Sequence, residues 1–154
     1  MPKQSAGLLL YRYRNDELQV LLVHPGGPFW AKKDKAAWSI PKGEYTNEEP
    51  LQAAQREFEE ETSLRVDGDF KKLTPIQQSN KTVHAWAVQA DVDPSHIKSN
   101  MFAMEWPPKS GRQQEFPEVD KAAWFGLEEA KEKILKGQRG LLDELIKITK
   151  NKNT

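Results

Sequence analysis

Apolar residues recur along this chain at two spacings, and the change from one to the other marks out its elements. Gly7 to Tyr13 and Leu18 to His24 are apolar runs separated by Arg14-Asn15-Asp16-Glu17, which predicts two strands joined by a hairpin turn. Phe70 to Ile76 and Thr82 to Ala90 read as further strands. The latter alternates, with Val83, Ala85 and Ala87 on one face and His84, Trp86 and Val88 on the other. Val119 to Phe125 reads as the last strand, with Trp124 and Phe125 expected in the core. Helical spacing appears at Leu51, Ala54 and Phe58, behind Pro50 and with Glu48 and Glu49 at the positive end of the element. Leu127 to Leu135 and Leu141 to Ile148 read as two more helices. Between Asp91 and Pro117 the pattern lapses, which predicts a binding loop, a lid or an element that the pattern hides. Residues 1–149 are expected to form one domain and 150–154 a flexible tail.

Composition narrows the partners. Lys plus Arg and Asp plus Glu both total 23, so no global field draws the chain to duplex nucleic acid or to an anionic membrane. Contact with a nucleotide has to be local. Cysteine is absent, which excludes disulfides and thiolate metal sites and favours a reducing compartment. No apolar run is long enough to span a bilayer, and Met-Pro-Lys-Gln-Ser does not read as a signal peptide, so a cytoplasmic protein is expected. Oligomeric state is left open.

The chemistry concentrates at Arg56-Glu57-Phe58-Glu59-Glu60-Glu61. At 3.6 residues per turn Glu57, Glu60 and Glu61 share an arc of roughly 100°, beside the face carrying Leu51, Ala54 and Phe58. Like charges four apart cost an isolated helix about 0.2–0.5 kcal/mol, and a hard divalent cation with oxygen ligands would offset that repulsion. A solvated acidic face is the competing reading of this run taken alone. Upstream lie a loop rich in Pro, Gly and aromatics, Pro25 to Trp30, and the piece Trp38-Ser39-Ile40-Pro41-Lys42-Gly43.

Gly43, Glu48 and Arg56-Glu57-Phe58-Glu59-Glu60-Glu61-Thr62-Ser63-Leu64 together resemble the Nudix box, Gx5Ex7REUxEExGU, with U a bulky aliphatic residue. One residue is missing between Gly43 and Glu48, Phe58 takes the first U position, and Ser63 stands in place of the last glycine. The likeness extends through His24 to Pro28, Trp38 to Gly43 and Glu115 to Asp120. This resemblance implies an α/β/α sandwich with a mixed central sheet. It also implies hydrolysis of a nucleoside diphosphate linked to another moiety, of the nucleoside triphosphate or dinucleoside polyphosphate class, with Mg²⁺ or Mn²⁺. On the same basis Glu57, Glu60, Glu61 and the Gly43 carbonyl would hold metal, Glu57 would serve as base, Arg56 would orient the glutamates, and Glu48 would support them.

The box chemistry stands on physical grounds as well: pyrophosphate cleavage must spread charge over phosphoryl oxygens and activate water, and carboxylates suit Mg²⁺ better than zinc. Lys42 and Arg112 are candidate phosphate clamps, and Phe29 and Trp30 are candidate base-stacking residues; each could equally be solvated or folded onto the scaffold. His84 reads as a structural strand residue. Glu115 is preferred to Glu118 as a distal catalytic glutamate, because Glu118 reads as the start of a strand. Two function classes remain: a metal-dependent hydrolase of small nucleotides, and a nucleotide-sensing module without turnover. Retention of Glu57, Glu60 and Glu61 together favours the enzyme.

Overall fold

The computed structural model describes residues 3–152, and side chains through residue 150. Strands β1 (Lys3–Arg14) and β2 (Glu17–Pro25) form the expected hairpin, with Arg14 opposite Glu17. Its two central residues, Asn15 and Asp16, have φ of 52° and 65°, the left-handed pair that matches the twist of the flanking strands. A short β3 (Lys42–Glu44) runs antiparallel to the start of β1, and β6 (Lys81–Gln89) runs parallel to it from Lys3 to Tyr11. With β9 (Val119–Gly126) antiparallel to β2 and the short β4 (Lys71–Lys72) antiparallel to β6, the main sheet has the order β4-β6-β1-β2-β9 and is mixed.

Alternation along β1 builds both cores. Leu9 and Tyr11 face α2 (Leu127–Lys133) and α3 (Arg139–Lys152), where Leu141, Leu142 and Leu145 are fully buried. Ala6, Leu8 and Leu10 face α1 (Pro50–Thr62) and meet Ala53, Ala54 and Phe58. Helices thus cover both faces, as the α/β/α expectation requires. Full burial of Phe58 contributes roughly 1.5–3 kcal/mol and fixes the roll of α1, which turns the neighbouring glutamate arc toward β3.

Three segments differ from the sequence expectation. The strand expected from Phe70 to Ile76 is split into β4 (Lys71–Lys72) and β5 (Ile76–Gln78), because Pro75 has no N–H to give the ladder. Inside the patternless stretch lies a hairpin of β7 (Met101–Glu105) and β8 (Gln113–Pro117), preceded by a single 3₁₀ turn at Pro94–His96. Helix α3 runs on to Lys152 where a flexible tail was expected, its apolar stripe extended by Ile148 and by Thr149, whose hydroxyl donates to the Leu145 carbonyl; residues 153–154 lie outside the described residues.

Ser63 ends α1 in the left-handed conformation, φ 63° and ψ 19°, and its N–H donates to the Glu59 carbonyl at 2.7 Å. A non-glycine residue pays about 1–2 kcal/mol there. Its hydroxyl offsets the cost by donating to the Lys98 carbonyl. The same segment is stitched to the helix end by Lys98 N–H to Thr62 O and Asn100 N–H to Glu60 O, at 3.0 and 3.1 Å. The helix C-terminus therefore grips the base of the β7–β8 hairpin.

Candidate active site

Helix α1, strand β3 and the residue between β8 and β9 meet around an acidic cavity of about 320 Å³. Glu57, Glu60 and Glu61 enter it from the helix, Lys42 and Gly43 from β3, and Glu118 from the far side. Gly43 is there because nothing larger fits: a Cβ would stand 2.0 Å from Glu57 Oε2. Arg56 organises the acids. Its Nε and Nη2 grip Glu48 at 2.8 to 3.2 Å, while Nη1 donates to Glu57 Oε1 at 2.9 Å and to Glu60 Oε2 at 3.1 Å. A planar, permanently charged fork holds three carboxylates in fixed rotamers where Lys could not. Glu48 lies outside the cavity, and its bond to Arg56 keeps its carboxyl below the ordinary range. The fourth acid, Glu61, accepts from the Lys42 N–H at 3.2 Å.

The cavity is electrostatically uncomfortable. Burial pushes the Glu61 carboxyl up to about 8, with Glu57 and Glu118 adding to the rise and Lys42 opposing it. Burial likewise raises Glu57 against the pull of Arg56, and raises Glu118 beside Glu60. Lys42 is lowered by burial and by Lys81. In the metal-free protein the sign is set by Glu61: the folded state binds a proton that an unfolded carboxyl, near 4.5, has already lost. This contribution to stability is therefore full only below about pH 4.5 and is lost as pH rises to about 8. Thermal melts of chelated protein should show that slope, and added Mg²⁺ or Mn²⁺ should raise Tm more at the alkaline end; a flat profile would contradict the burial of Glu61.

These residues fit a hard divalent cation. The donors are carboxylate oxygens and a backbone carbonyl, and Glu57 Oε2 and Glu60 Oε1 accept no hydrogen bond among the described residues. Among the described residues no three acidic or histidine side chains are already gathered closely enough to hold a metal ion.

From the acidic cavity a groove continues past Lys42, Glu61 and Glu118 into an apolar section walled by Val23, Trp30, Ile40 and Leu135. Beyond Trp30 it opens between the Gly26-Gly27 loop with Phe29 and the hairpin residues Phe102 and Met104. Trp30 is half-buried in the wall, whereas Phe29 is 63% exposed at the mouth, with the Lys33 ammonium 4.0 Å from its ring centre. Two expected site residues fall elsewhere. Arg112 is exposed in the β7–β8 connection and lines none of these cavities. Glu115 is exposed in mid-strand opposite Ala103, whereas Glu118 lines the acidic cavity. Glu118 is fixed on both sides by backbone: its N–H donates to Asn100 O at 2.8 Å, and its carbonyl accepts from Gly26 N–H at 3.0 Å. Phe102 and Met104 carried no sequence signal beyond a short alternation.

A NUDIX domain family model matches residues 1–145. The chain belongs to the Nudix family. Among solved structures it is similar to an Ap4A hydrolase of C. elegans in a binary complex, at 22% identity and TM-score 0.62 over 97% of this chain and 98% of that one. It is also similar to a mutT/nudix family protein of Listeria innocua, at 19% identity and TM-score 0.65 over 99% and 97%. The NUDIX domain of Shewanella oneidensis NrtR, solved with ADP ribose, shares 16% identity at TM-score 0.62 over 100% and 90%. These likenesses establish the fold. An octanoyltransferase of Myxococcus xanthus is 30% identical over 112 residues, 70% of this chain, and the chain spans only 26% of that protein's length. No helix among the described residues is long and apolar enough to cross a membrane.

Proposed function

We propose that the domain hydrolyses a pyrophosphate bond in a nucleoside diphosphate linked to a further group, using Mg²⁺ or Mn²⁺ held by Glu57, Glu60, Glu61 and the Gly43 carbonyl, with Glu118 completing the acidic wall. The observation that carries this reading is the groove, which is acidic at one end and aromatic at the other and suits a ligand with a polyphosphate head and a planar apolar group. A bound divalent ion would neutralise phosphoryl charge and acidify water. Around it the chain's own residues have distinct tasks. Arg56 holds Glu57 and Glu60 in place, Glu57 takes the proton of the attacking water, and Lys42 faces the charge that develops on the phosphoryl oxygens. Water adds to phosphorus, the bridging P–O bond breaks, and the proton returns to the leaving phosphate. Trp30 and Phe29 form one wall for a base, and Phe102 and Met104 the other.

Ap4A, for which one neighbouring protein is named a hydrolase, and ADP ribose, bound in another, both contain a nucleoside joined through pyrophosphate and are the natural first substrates. A cytoplasmic setting belongs to the same reading. Five carboxylates on one cavity favour turnover over a sensing module. The test is phosphate release from a panel of nucleoside triphosphates, dinucleoside polyphosphates and diphosphate sugars, with Mg²⁺ or with chelator. Cleavage of a panel member that stops on chelation is expected; ligand binding without cleavage across the panel would assign the sensing role.

A further inference from the structure

The aromatic side of the groove is carried by a segment that belongs to neither sheet nor helix. Residues 27–35 form successive turns, and among the described residues no backbone–backbone hydrogen bond ties them to a strand or helix. The bond from the Lys33 N–H to the Trp30 carbonyl, at 2.9 Å, lies inside the segment. A buried side chain supplies the missing tie. His24, near the end of β2, is fully buried, and its Nε2 stands 2.6 Å from the Lys33 carbonyl. Its Nδ1 stands 2.9 Å from Asp120 Oδ1 on β9. A carbonyl only accepts, so the ring has to donate Nε2–H to Lys33, while a second proton is shared between Nδ1 and the Asp120 carboxyl.

Lys33 passes that anchorage on to the rings. Its ammonium lies 4.0 Å from the centre of the Phe29 ring and 5.2 Å from that of Trp30, and the two rings meet edge to face at 5.4 Å. Asp34 secures the next residue, accepting from Trp38 Nε1 at 2.8 Å and pairing with Lys133. Trp38 in turn packs edge-on against the His24 ring, with centres 5.2 Å apart. We propose that His24 is a positioning residue for the aromatic wall: oriented by Asp120, it fixes the Lys33 carbonyl and so sets where Phe29 and Trp30 stand to receive the planar group of the ligand. The effect on turnover rests on the hydrolase reading, whereas the anchorage itself does not. His24 lines none of the groove cavities, so its loss acts on recognition of the planar group and spares the glutamates.

Two substitutions separate the anchorage from mere packing, since both remove the ring. His24→Gln keeps an amide N–H within reach of the Lys33 carbonyl, whereas the shorter side chain of His24→Asn reaches no further than Asp120. Under native conditions trypsin should cut His24→Asn at Lys32, Lys33 or Lys35 about tenfold faster than wild type, because the segment opens more often once its bond is lost. His24→Gln should be cut at close to the wild-type rate. On a nucleoside triphosphate with Mg²⁺, His24→Asn should raise KM about tenfold while kcat stays within about twofold, and His24→Gln should restore KM. Equal losses in the two variants would make His24 a packing residue and overturn the proposal, as would unchanged cutting and KM in both. Should either variant fail to fold, ¹⁵N NMR of the wild-type histidines decides: the His24 ring should show a protonated, slowly exchanging Nε2, and an unprotonated Nε2 would overturn the anchorage. If wild type cleaves no nucleotide, the hydrolase reading fails, and the trypsin rates still decide the anchorage.

Discussion

Glu61→Gln is expected to lower kcat roughly 10²- to 10³-fold at saturating Mg²⁺, while Tm in chelator stays level or rises. The amide keeps the size of the side chain, and its oxygen can still accept from the Lys42 N–H as the carboxylate does at 3.2 Å. What disappears is a negative charge that burial already makes unfavourable, with the carboxyl pushed up to about 8. Removing it relieves the empty protein and weakens the cation's hold, so stability and activity move apart. Glu60→Gln should lose turnover similarly, with a smaller stability gain because Glu60 is more exposed. Steady-state kinetics paired with melting curves check both. Full activity in either variant would remove that residue from the metal-binding set.

Gly43→Ala should cost about 10² in turnover with little change in Tm. The new Cβ would stand 2.0 Å from Glu57 Oε2 and 2.2 Å from its Cδ, so the carboxylate has to swing away and give up its 2.9 Å bond from Arg56. Only the far end of a flexible side chain has to yield, and the backbone pairing of Gly43 with Ala6 can persist. The fold is therefore spared and the misplaced Glu57 bears the cost. Loss of stability in step with activity would point instead to a backbone shift in β3.

The acid arc on α1 was legible because it is local: a period of 3.6 and an apolar face at Ala54 and Phe58 suffice to aim Glu57, Glu60 and Glu61 together. Ser63 was legible for the same reason, since the end of a helix imposes its own backbone geometry. The β1–β2 hairpin declared itself through its turn. The β7–β8 hairpin did not, because its alternating positions are at most half-buried and its turn is crowded with Pro107 and Pro108. The different placement of Glu115 and Glu118 was hidden by the same unread hairpin: only its register shows Glu115 opposite Ala103 in mid-strand and Glu118 lining the cavity.

Glu118 owes its position to two backbone bonds at the foot of the hairpin, one to Asn100 and one to Gly26. Nothing at the tip, from Trp106 to Arg112, takes part in that anchorage. The hairpin is thus a graftable cassette: its length and its groove-facing side chains, Phe102 and Met104, can be exchanged between its fixed ends while the reacting centre keeps its alignment. On the proposed reading, recognition of the planar group and cleavage of the phosphate chain would vary separately in this architecture.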